Sequence, residues 1–349
     1  MPTTGANAGW GTLASVSWAA DRSVIAHRDR GAGRTRAFPL RRTLLASFAV
    51  GFLLLGLVGM VRYVSDYWLY RGFGPPVTPA GVPAGSVTTN TFFSPALHRT
   101  AEYDIYLPPG YAGQAARGRR FGVLYLLGSP AGVPQGIFNT GAVAVRADLL
   151  IHEHRMTPML VVVPRDKTGL FGNDTEWADA GAGRYEGFVL DAVRFIDRTY
   201  ATYPDRQHRG VGGLSMGAYG AMNITLHHPG LFSVAESWSG YFEQTPTGPF
   251  AGASRAALAY NSPAQEVPHR AAEIHRLGLR AWIYQGSHDD VRVSDTASFA
   301  HALTRAGGRV RFAVYPGGHN WRLWRAQVPR QLLAASSWFS TPPATGRAR

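Results

Sequence analysis

The chain of 349 residues contains no cysteine. That excludes disulfides, thiolate metal sites and a cysteine nucleophile, and it is compatible with an oxidising compartment. Lysine is nearly absent too: Lys167 is the only one, a bias that fits GC-rich coding and leaves arginine to carry the positive charge. A net charge of +13 points toward nucleic acid or an anionic surface. Its distribution excludes nucleic acid. Residues 1–42 hold seven arginines against two aspartates, and the remaining charge is spread thinly, with no basic helix or stripe that could track phosphates. Internal repeats are also lacking. What is present is 45% apolar residues and nine tryptophans, enough for a sizeable core. The length suits one large α/β domain with extra segments, or two small domains.

One long apolar run stands out. Arg41-Arg42 precede TLLASFAVGFLLLGLVGMV, residues 43–61, and Arg62 follows. Nineteen uncharged residues at ~1.5 Å each match the ~30 Å hydrocarbon core of a bilayer. A soluble helix would show a polar face, and this run has none. The expectation is a transmembrane signal anchor over 43–61, behind a basic, disordered cytoplasmic leader, 1–42. The arginine-rich flank stays inside and the remainder is exported. A cleaved signal peptide fits less well, because no A-x-A site follows; Arg41-Arg42-Thr43-Leu44-Leu45 matches a twin-arginine signal only in part. Residues 62–87, with RGFGPPVTPAGVPAGSV at 71–87, read as a Pro/Gly-rich linker. A catalytic domain is expected over 88–340, with a disordered tail at 341–349.

In that domain short apolar runs (Phe121–Leu127, Met159–Val163, Ala281–Tyr284, Arg311–Tyr315) alternate with helical stretches. Tyr185, Phe188, Val189, Ala192, Val193 and Ile196 share one helix face. Such alternation predicts an α/β fold with a mainly parallel central sheet and helices on both faces. The segment 243–275, rich in Pro, Gly, Ala and Ser, interrupts the rhythm and reads as a small cap or an irregular excursion.

The chemistry gathers around VGGLSMGAYG, residues 211–220. Arg209–Gly213 reads as a strand and Met216–His228 as a helix ended by Pro229-Gly230, so Ser215 falls on a sharp strand-to-helix turn. That is the context of a nucleophile elbow, where Gly213 and Gly217 let the backbone cross tightly. A serine hydroxyl needs a base, oriented in turn by an acid, and in this fold they follow in the order Ser, acid, His after late strands. Gln285-Gly286-Ser287-His288-Asp289-Asp290 follows one such strand and Pro316-Gly317-Gly318-His319-Asn320-Trp321 the next. His319 is the expected base and Asp289 the expected acid. Asp290 is a rival that pattern alone leaves open. For the oxyanion hole the expected donors are the backbone N–H of Met216 and that of Ser129, in Gly128-Ser129-Pro130-Ala131-Gly132 after the early strand. Trp238, Tyr241 and Trp321 are candidate substrate-binding residues; Phe242 could line the same pocket and Trp324 reads as packing. His152-Glu153-His154 lacks a third ligand and reads as surface helix, so no metal or other cofactor is implied. His288 could be a ligand, but a triad explains its neighbour better. Asn223-Ile224-Thr225, a formal glycosylation sequon, falls inside the expected helix and reads as incidental.

With these residues assembled, the chain resembles the putative-esterase (esterase D-like) family of α/β-hydrolases, which includes feruloyl esterases, S-formylglutathione hydrolases and mycobacterial mycolyltransferases. The resemblance covers about residues 88–338, through FFSPALHRTAEYDIYLPPGY, VLYLLGSPAG, GGLSMGAYGAM followed by HHPGLF, WSGYF and YPGGHNWRLW. It implies hydrolysis of a carboxylic ester through an acyl-enzyme, or transfer of the acyl group to an alcohol as in the mycolyltransferases. The expected partners are an ester or acyl-donor substrate and, through 43–61, a membrane. A catalytically idle anchored binding protein and a soluble cytoplasmic esterase are the competing readings. Leu127, where relatives often carry His or Asp, and Ala218, where they often carry glycine, depart from the pattern and bear on the substrate pocket.

Overall fold

A computed structural model describes residues 40–129, 136–165 and 174–339. The expectations for the leader up to residue 39, for the tail and for Pro130 and its successors to 135 lie outside the described residues. By contacts the chain divides into two units, Met1–Leu57 and Val58–Arg349.

Helix α1 runs from Leu40 to Tyr70. Its stretch Leu40–Tyr67 is long and apolar enough to cross a membrane, and Phe48, Phe52, Leu53 and Leu55 on it are exposed. The helix outlasts the expected span because nothing in Arg62–Tyr70 breaks it. Arg71 and Gly72 then adopt positive φ (52° and 81°), which ends it, so the connecting segment is shorter than expected.

The second unit holds an eight-stranded sheet. Its first elements are β1 (Ser86–Ser94), β2 (Arg99–Leu107), α2 (Tyr111–Ala116), β3 (Val123–Leu127), α3 (Gly136–Asn139), α4 (Val143–His152) and β4 (Leu160–Arg165). A small hairpin of β5 (Asp179–Ala180) and β6 (Gly183–Arg184) leads into α5 (Tyr185–Thr199), β7 (Arg209–Leu214), α6 (Met216–His227) and β8 (Val234–Trp238). The chain ends with α7 (Arg255–Tyr260), α8 (Pro263–Leu277), β9 (Arg280–His288), α9 (Val293–Arg305), β10 (Arg309–Gly318) and α10 (Trp321–Phe339). Strand order is β1-β2-β4-β3-β7-β8-β9-β10. β2 pairs antiparallel with β1 and β4, and the rest are parallel. Five-residue all-buried strands such as VLYLL (β3) and VAESW (β8) are what a sheet covered on both faces requires. One face packs on α5 and α6 through Phe188, Val189 and Ile224; the other packs on α4 and α10 through Leu150, Leu323 and Val328. This is the α/β-hydrolase arrangement.

Of the two readings of segment 243–275, the irregular excursion is corrected from Arg255 onward. The segment holds α7 and most of α8, both regular. The Ser254 hydroxyl caps α7 by accepting from Ala257 N–H, Pro263 opens α8, and Gly278 closes it at φ 63°. The prolines that suggested irregularity include one in the first turn, where the missing N–H costs nothing.

Helix α6, which starts at the elbow, is tied to α5 by charge. Glu186 accepts from His227 Nδ1 (2.8 Å) and His228 Nε2 (2.7 Å), while His227 Nε2 donates to the Tyr260 carbonyl (2.8 Å). Burial opposes charge on both Glu186 and His227, yet their pairing outweighs it. The Glu186 carboxyl is lowered to about 2 and His227 is raised from its ordinary value. With a depressed folded pKa, Glu186 contributes stability that is complete above its ordinary 4.5 and is lost as pH falls toward about 2. The raised His227 contributes below its ordinary 6.5 and loses that contribution as pH rises through its folded value. Urea midpoints measured against pH are expected to fall at both ends, and Glu186→Gln to flatten both limbs while lowering the plateau.

Candidate active site

Ser215 sits between β7 and α6 at φ 56°, ψ −121°, a conformation that side-chain-bearing residues rarely adopt. The surroundings hold it there. Its N–H donates to the Trp238 carbonyl (3.0 Å) at the end of the neighbouring strand, and its carbonyl accepts from Ala218 and Tyr219 N–H (2.9 and 3.1 Å). Gly213 and Gly217 allow the crossing: a Cβ on Gly213 would stand 2.5 Å from the Leu127 carbonyl oxygen, and one on Gly217 would stand 2.8 Å from that of Gly128.

The expected base and acid meet this serine. Ser215 Oγ lies 2.8 Å from His319 Nε2, and His319 Nδ1 lies 2.8 Å from Asp289 Oδ1. The Asp289 side chain is fully buried, whereas Asp290 is exposed. The structure therefore brings Asp289, and not its neighbour, to the histidine. Burial alone would raise the Asp289 carboxyl. The His319 hydrogen bond, the nearby Ser239 side chain, the His319 charge and the Val291 N–H outweigh it and hold the group below the ordinary carboxylate range. The acid is thus ionised where it faces the imidazole.

Of the two expected oxyanion donors, Met216 is the first residue of α6, so its N–H has no acceptor within the helix. Ser129 follows Gly128 at the end of β3, beside the elbow, and is half-buried. Trp177 Nε1 donates to the Gly128 carbonyl (2.9 Å) and so fixes the peptide that carries the Ser129 N–H.

The expected pocket residues divide. The Trp238 side chain belongs to the core, a correction: it is 1% exposed, stacks on Tyr284 and donates from Nε1 to Glu236 Oε2 (3.1 Å). The second half of a strand covered on both faces has no open side for an indole. Tyr241 instead stacks on Tyr219 (5.3 Å between centroids) and donates to Glu176. With Phe242, Val291 and Phe299 it lines a cavity of about 620 Å³. Trp321 is half-buried and meets Trp324 edge-on at 5.4 Å. Trp324 in turn meets the His319 ring edge-on at 5.0 Å and donates from Nε1 to Ser239 Oγ (3.1 Å).

Sequence reasoning missed Glu176, Trp177 and Ser239. All three are buried and at positive φ (50°, 49° and 59°) without being glycine. Glu176 N–H donates to Met216 Sδ (3.3 Å), and its carboxylate accepts from Tyr241 and Gln244. Burial pushes the Glu176 carboxyl up to about 7 despite those bonds. Positive φ outside glycine leaves no mark in a sequence, so only the Asp174-to-Trp177 composition could have drawn notice.

The other motifs resolve simply. His152 is the last residue of α4, Glu153 its cap and His154 a turn at φ 55°, so the triplet is a helix end rather than a helix surface. Among the described residues no group of three His, Asp or Glu is placed to hold a metal ion. His288 Nδ1 bonds the Ser287 hydroxyl (3.0 Å). Asn223 is fully buried and donates to Asn261 Oδ1 (3.2 Å).

The fold is that of the α/β-hydrolase class. The chain belongs to the family described as "Putative esterase", whose model matches residues 94–335. It is 29% identical over 173 residues to an endo-1,4-beta-xylanase/feruloyl esterase of Xylanibacter ruminicola, covering 48% of this chain and 22% of that protein. It is 26% identical over 233 residues to an uncharacterized protein of Corynebacterium glutamicum, covering 64% of this chain and 54% of the other. The chain thus spans about half or less of these curated relatives. Among solved structures, a ferulic acid esterase superposes with a TM-score of 0.64 at 24% identity, over 73% of this chain and 99% of that one. An S-formylglutathione hydrolase of Staphylococcus aureus gives 0.60 at 17%, over 73% and 98%. Both share the fold.

Proposed function

We propose that the chain is a serine hydrolase of carboxylic esters that works through an acyl-enzyme, with Ser215 as nucleophile, His319 as base and then acid, and Asp289 as the group that orients His319. The observation that carries this reading is the unbroken line of two 2.8 Å contacts from Ser215 Oγ through His319 to Asp289 Oδ1, on a turn held at positive φ. Ser215 Oγ attacks the ester carbonyl as its proton passes to His319 Nε2. The Met216 and Ser129 N–H groups receive the developing oxyanion, where one such donor is worth about 3 kcal/mol. Collapse of the tetrahedral intermediate sends the proton from Nε2 to the departing alkoxide. Water, deprotonated by the same nitrogen, then releases the acid. Asp289 stays ionised throughout and stabilises the imidazolium.

Helix α1 anchors this domain in a membrane, with the arginine-rich flank cytoplasmic and the hydrolase domain outside. The support is its apolar length and the arginine excess before it. A fluorophosphonate probe tests the chemistry: it is expected to label the wild type on the peptide containing Ser215 and to leave Ser215→Ala unlabelled. A folded wild type that takes no label would sink the reading. Product analysis with and without an added alcohol such as glycerol reports whether water or a hydroxyl accepts the acyl group.

A further inference from the structure

Residues 175–178, TEWA, form a tight turn just before β5. The Ala178 N–H closes it on the Thr175 carbonyl (3.2 Å). Both central residues, Glu176 and Trp177, hold positive φ (50° and 49°). That is the backbone of a type I′ turn, which glycine, asparagine and aspartate ordinarily supply. Two successive residues with larger side chains adopt it at a cost, and they keep it only where the surroundings over-determine the conformation. The four residues are buried, so those surroundings are protein.

The turn touches both residues proposed as oxyanion donors. Glu176 N–H donates to Met216 Sδ (3.3 Å), on the residue that opens α6. Trp177 Nε1 donates to the Gly128 carbonyl (2.9 Å), on the peptide that carries the Ser129 N–H. Trp177 also packs on α6 at Gly220, where an added Cβ would stand 2.5 Å from the Trp177 Cβ. The two amides belong to different elements, one after β3 and one at the start of α6. Such donors stabilise an oxyanion only when both aim at the place where its charge develops. A turn in contact with both is placed to set their spacing.

The Glu176 side chain anchors that turn to the segment after β8. Its carboxylate accepts from the Tyr241 hydroxyl, 2.7 Å at Oε1 and 2.6 Å at Oε2, and from Gln244 Nε2 (3.1 Å). Those partners are themselves fixed. The Tyr241 ring stacks on Tyr219 of α6, and Gln244 N–H donates to Ser262 Oγ (2.9 Å). Two residues before Tyr241, Ser239 Oγ accepts from Trp324, whose ring meets His319. We propose that Glu176 is a positioning residue for the oxyanion hole: through Tyr241 and Gln244 it holds the turn that keeps the Met216 and Ser129 amides convergent. The proposal rests on the reading of Ser215 as the nucleophile. Glu176 acts through Met216 and Trp177 rather than on the substrate. Without the anchor the turn relaxes from positive φ and the two donors diverge, which weakens the transition state and spares ground-state binding.

The test is steady-state kinetics on the full chain with p-nitrophenyl butyrate. Glu176→Ala is expected to lower kcat about 10- to 100-fold, no more than the deletion of one donor costs, with KM kept within about threefold. Affinity for a trifluoromethyl ketone, whose adduct with serine carries an oxyanion in the same place, is expected to fall by the same factor. Glu176→Gln keeps an oxygen for the Tyr241 hydroxyl and an N–H that the phenol oxygen can accept, so kcat is expected to return to within about threefold of wild type. Tyr241→Phe is expected to reproduce part of the loss, and adding it to Glu176→Ala to lose nothing further, because both act along one path. A Glu176→Ala loss below about twofold overturns the proposal, as does a loss confined to KM, a glutamine variant no better than alanine, or additive losses with Tyr241→Phe. Should Glu176→Ala fail to fold by circular dichroism, Tyr241→Phe decides: unchanged kcat and ketone affinity overturn the proposal. Fluorophosphonate labelling separates the two readings. A wild type that takes no label removes the nucleophile and this proposal together; a labelled wild type with an unaffected Glu176→Ala removes only the proposal.

Discussion

Replacing Asp289 by asparagine is expected to lower kcat for p-nitrophenyl butyrate about 10⁴-fold, and Ser215→Ala about 10⁶-fold, with KM changed far less. The first figure corresponds to about 5.4 kcal/mol of transition-state stabilisation, more than any single neutral hydrogen bond supplies. It arises from the tautomer. Ionised Asp289 can only accept, so the proton of neutral His319 resides on Nδ1 and Nε2 is left to accept from Ser215, 2.8 Å away. An asparagine can present its amide N–H to Nδ1, which moves the imidazole proton to Nε2 and removes the base. Asp290→Asn changes an exposed side chain and is expected to alter kcat less than about twofold. Steady-state kinetics on the three variants decides the matter. An Asp290→Asn loss larger than that of Asp289→Asn would transfer the acid's role to the other carboxylate.

Two adjacent aspartates show where the sequence stopped being informative. Strand, glycines, serine and helix declare the elbow locally, because the tight crossing at Gly213 and Gly217 needs neighbours only a few residues away. Which of Asp289 and Asp290 turns inward depends on how the chain leaves β9: Asp289 N–H bonds the Gly286 carbonyl (3.3 Å), and Val291 N–H reaches back to Asp289 Oδ1 (3.4 Å). No residue pattern encodes that turn. The role of Trp177 was invisible for a different reason, since its bond to the Gly128 carbonyl spans 49 residues. Trp238 misled because an aromatic residue at the end of a strand looks alike whether the sheet face beside it is open or covered. In α8 the proline at Pro268 hid a helix whose buried face, Val267 and Ile274, is legible only once the neighbouring α9 is in place. Local chemistry could be read early; the long-range contacts that select among local options could not.

The second large effect concerns folding rather than chemistry. Gly217→Ala is expected to destabilise the domain by about 3 kcal/mol or more, although alanine is the better helix former by about 1 kcal/mol. The clash decides the sign. A Cβ at Gly217 would stand 2.5 Å from the Leu127 carbonyl carbon and 2.8 Å from the Gly128 oxygen, and would press still closer on the Leu127 oxygen. These are backbone atoms of β3, which is paired on both sides with β4 and β7, so no side chain can swing aside to make room. Relief would require β3 and α6 to separate, pulling the Gly128–Ser129 peptide away from the Met216 N–H. Stability and activity are therefore expected to fall together, and a variant that still folds should retain little turnover. Gly230→Ala is the matched control: nothing lies within 4 Å of a Cβ there, and its unfolding free energy from urea titration should stay within about 0.5 kcal/mol of wild type. Equal midpoints for Gly217→Ala and Gly230→Ala would mean that the elbow has more room than the glycine contacts allow, and the strained geometry assigned to Ser215 would have to be abandoned.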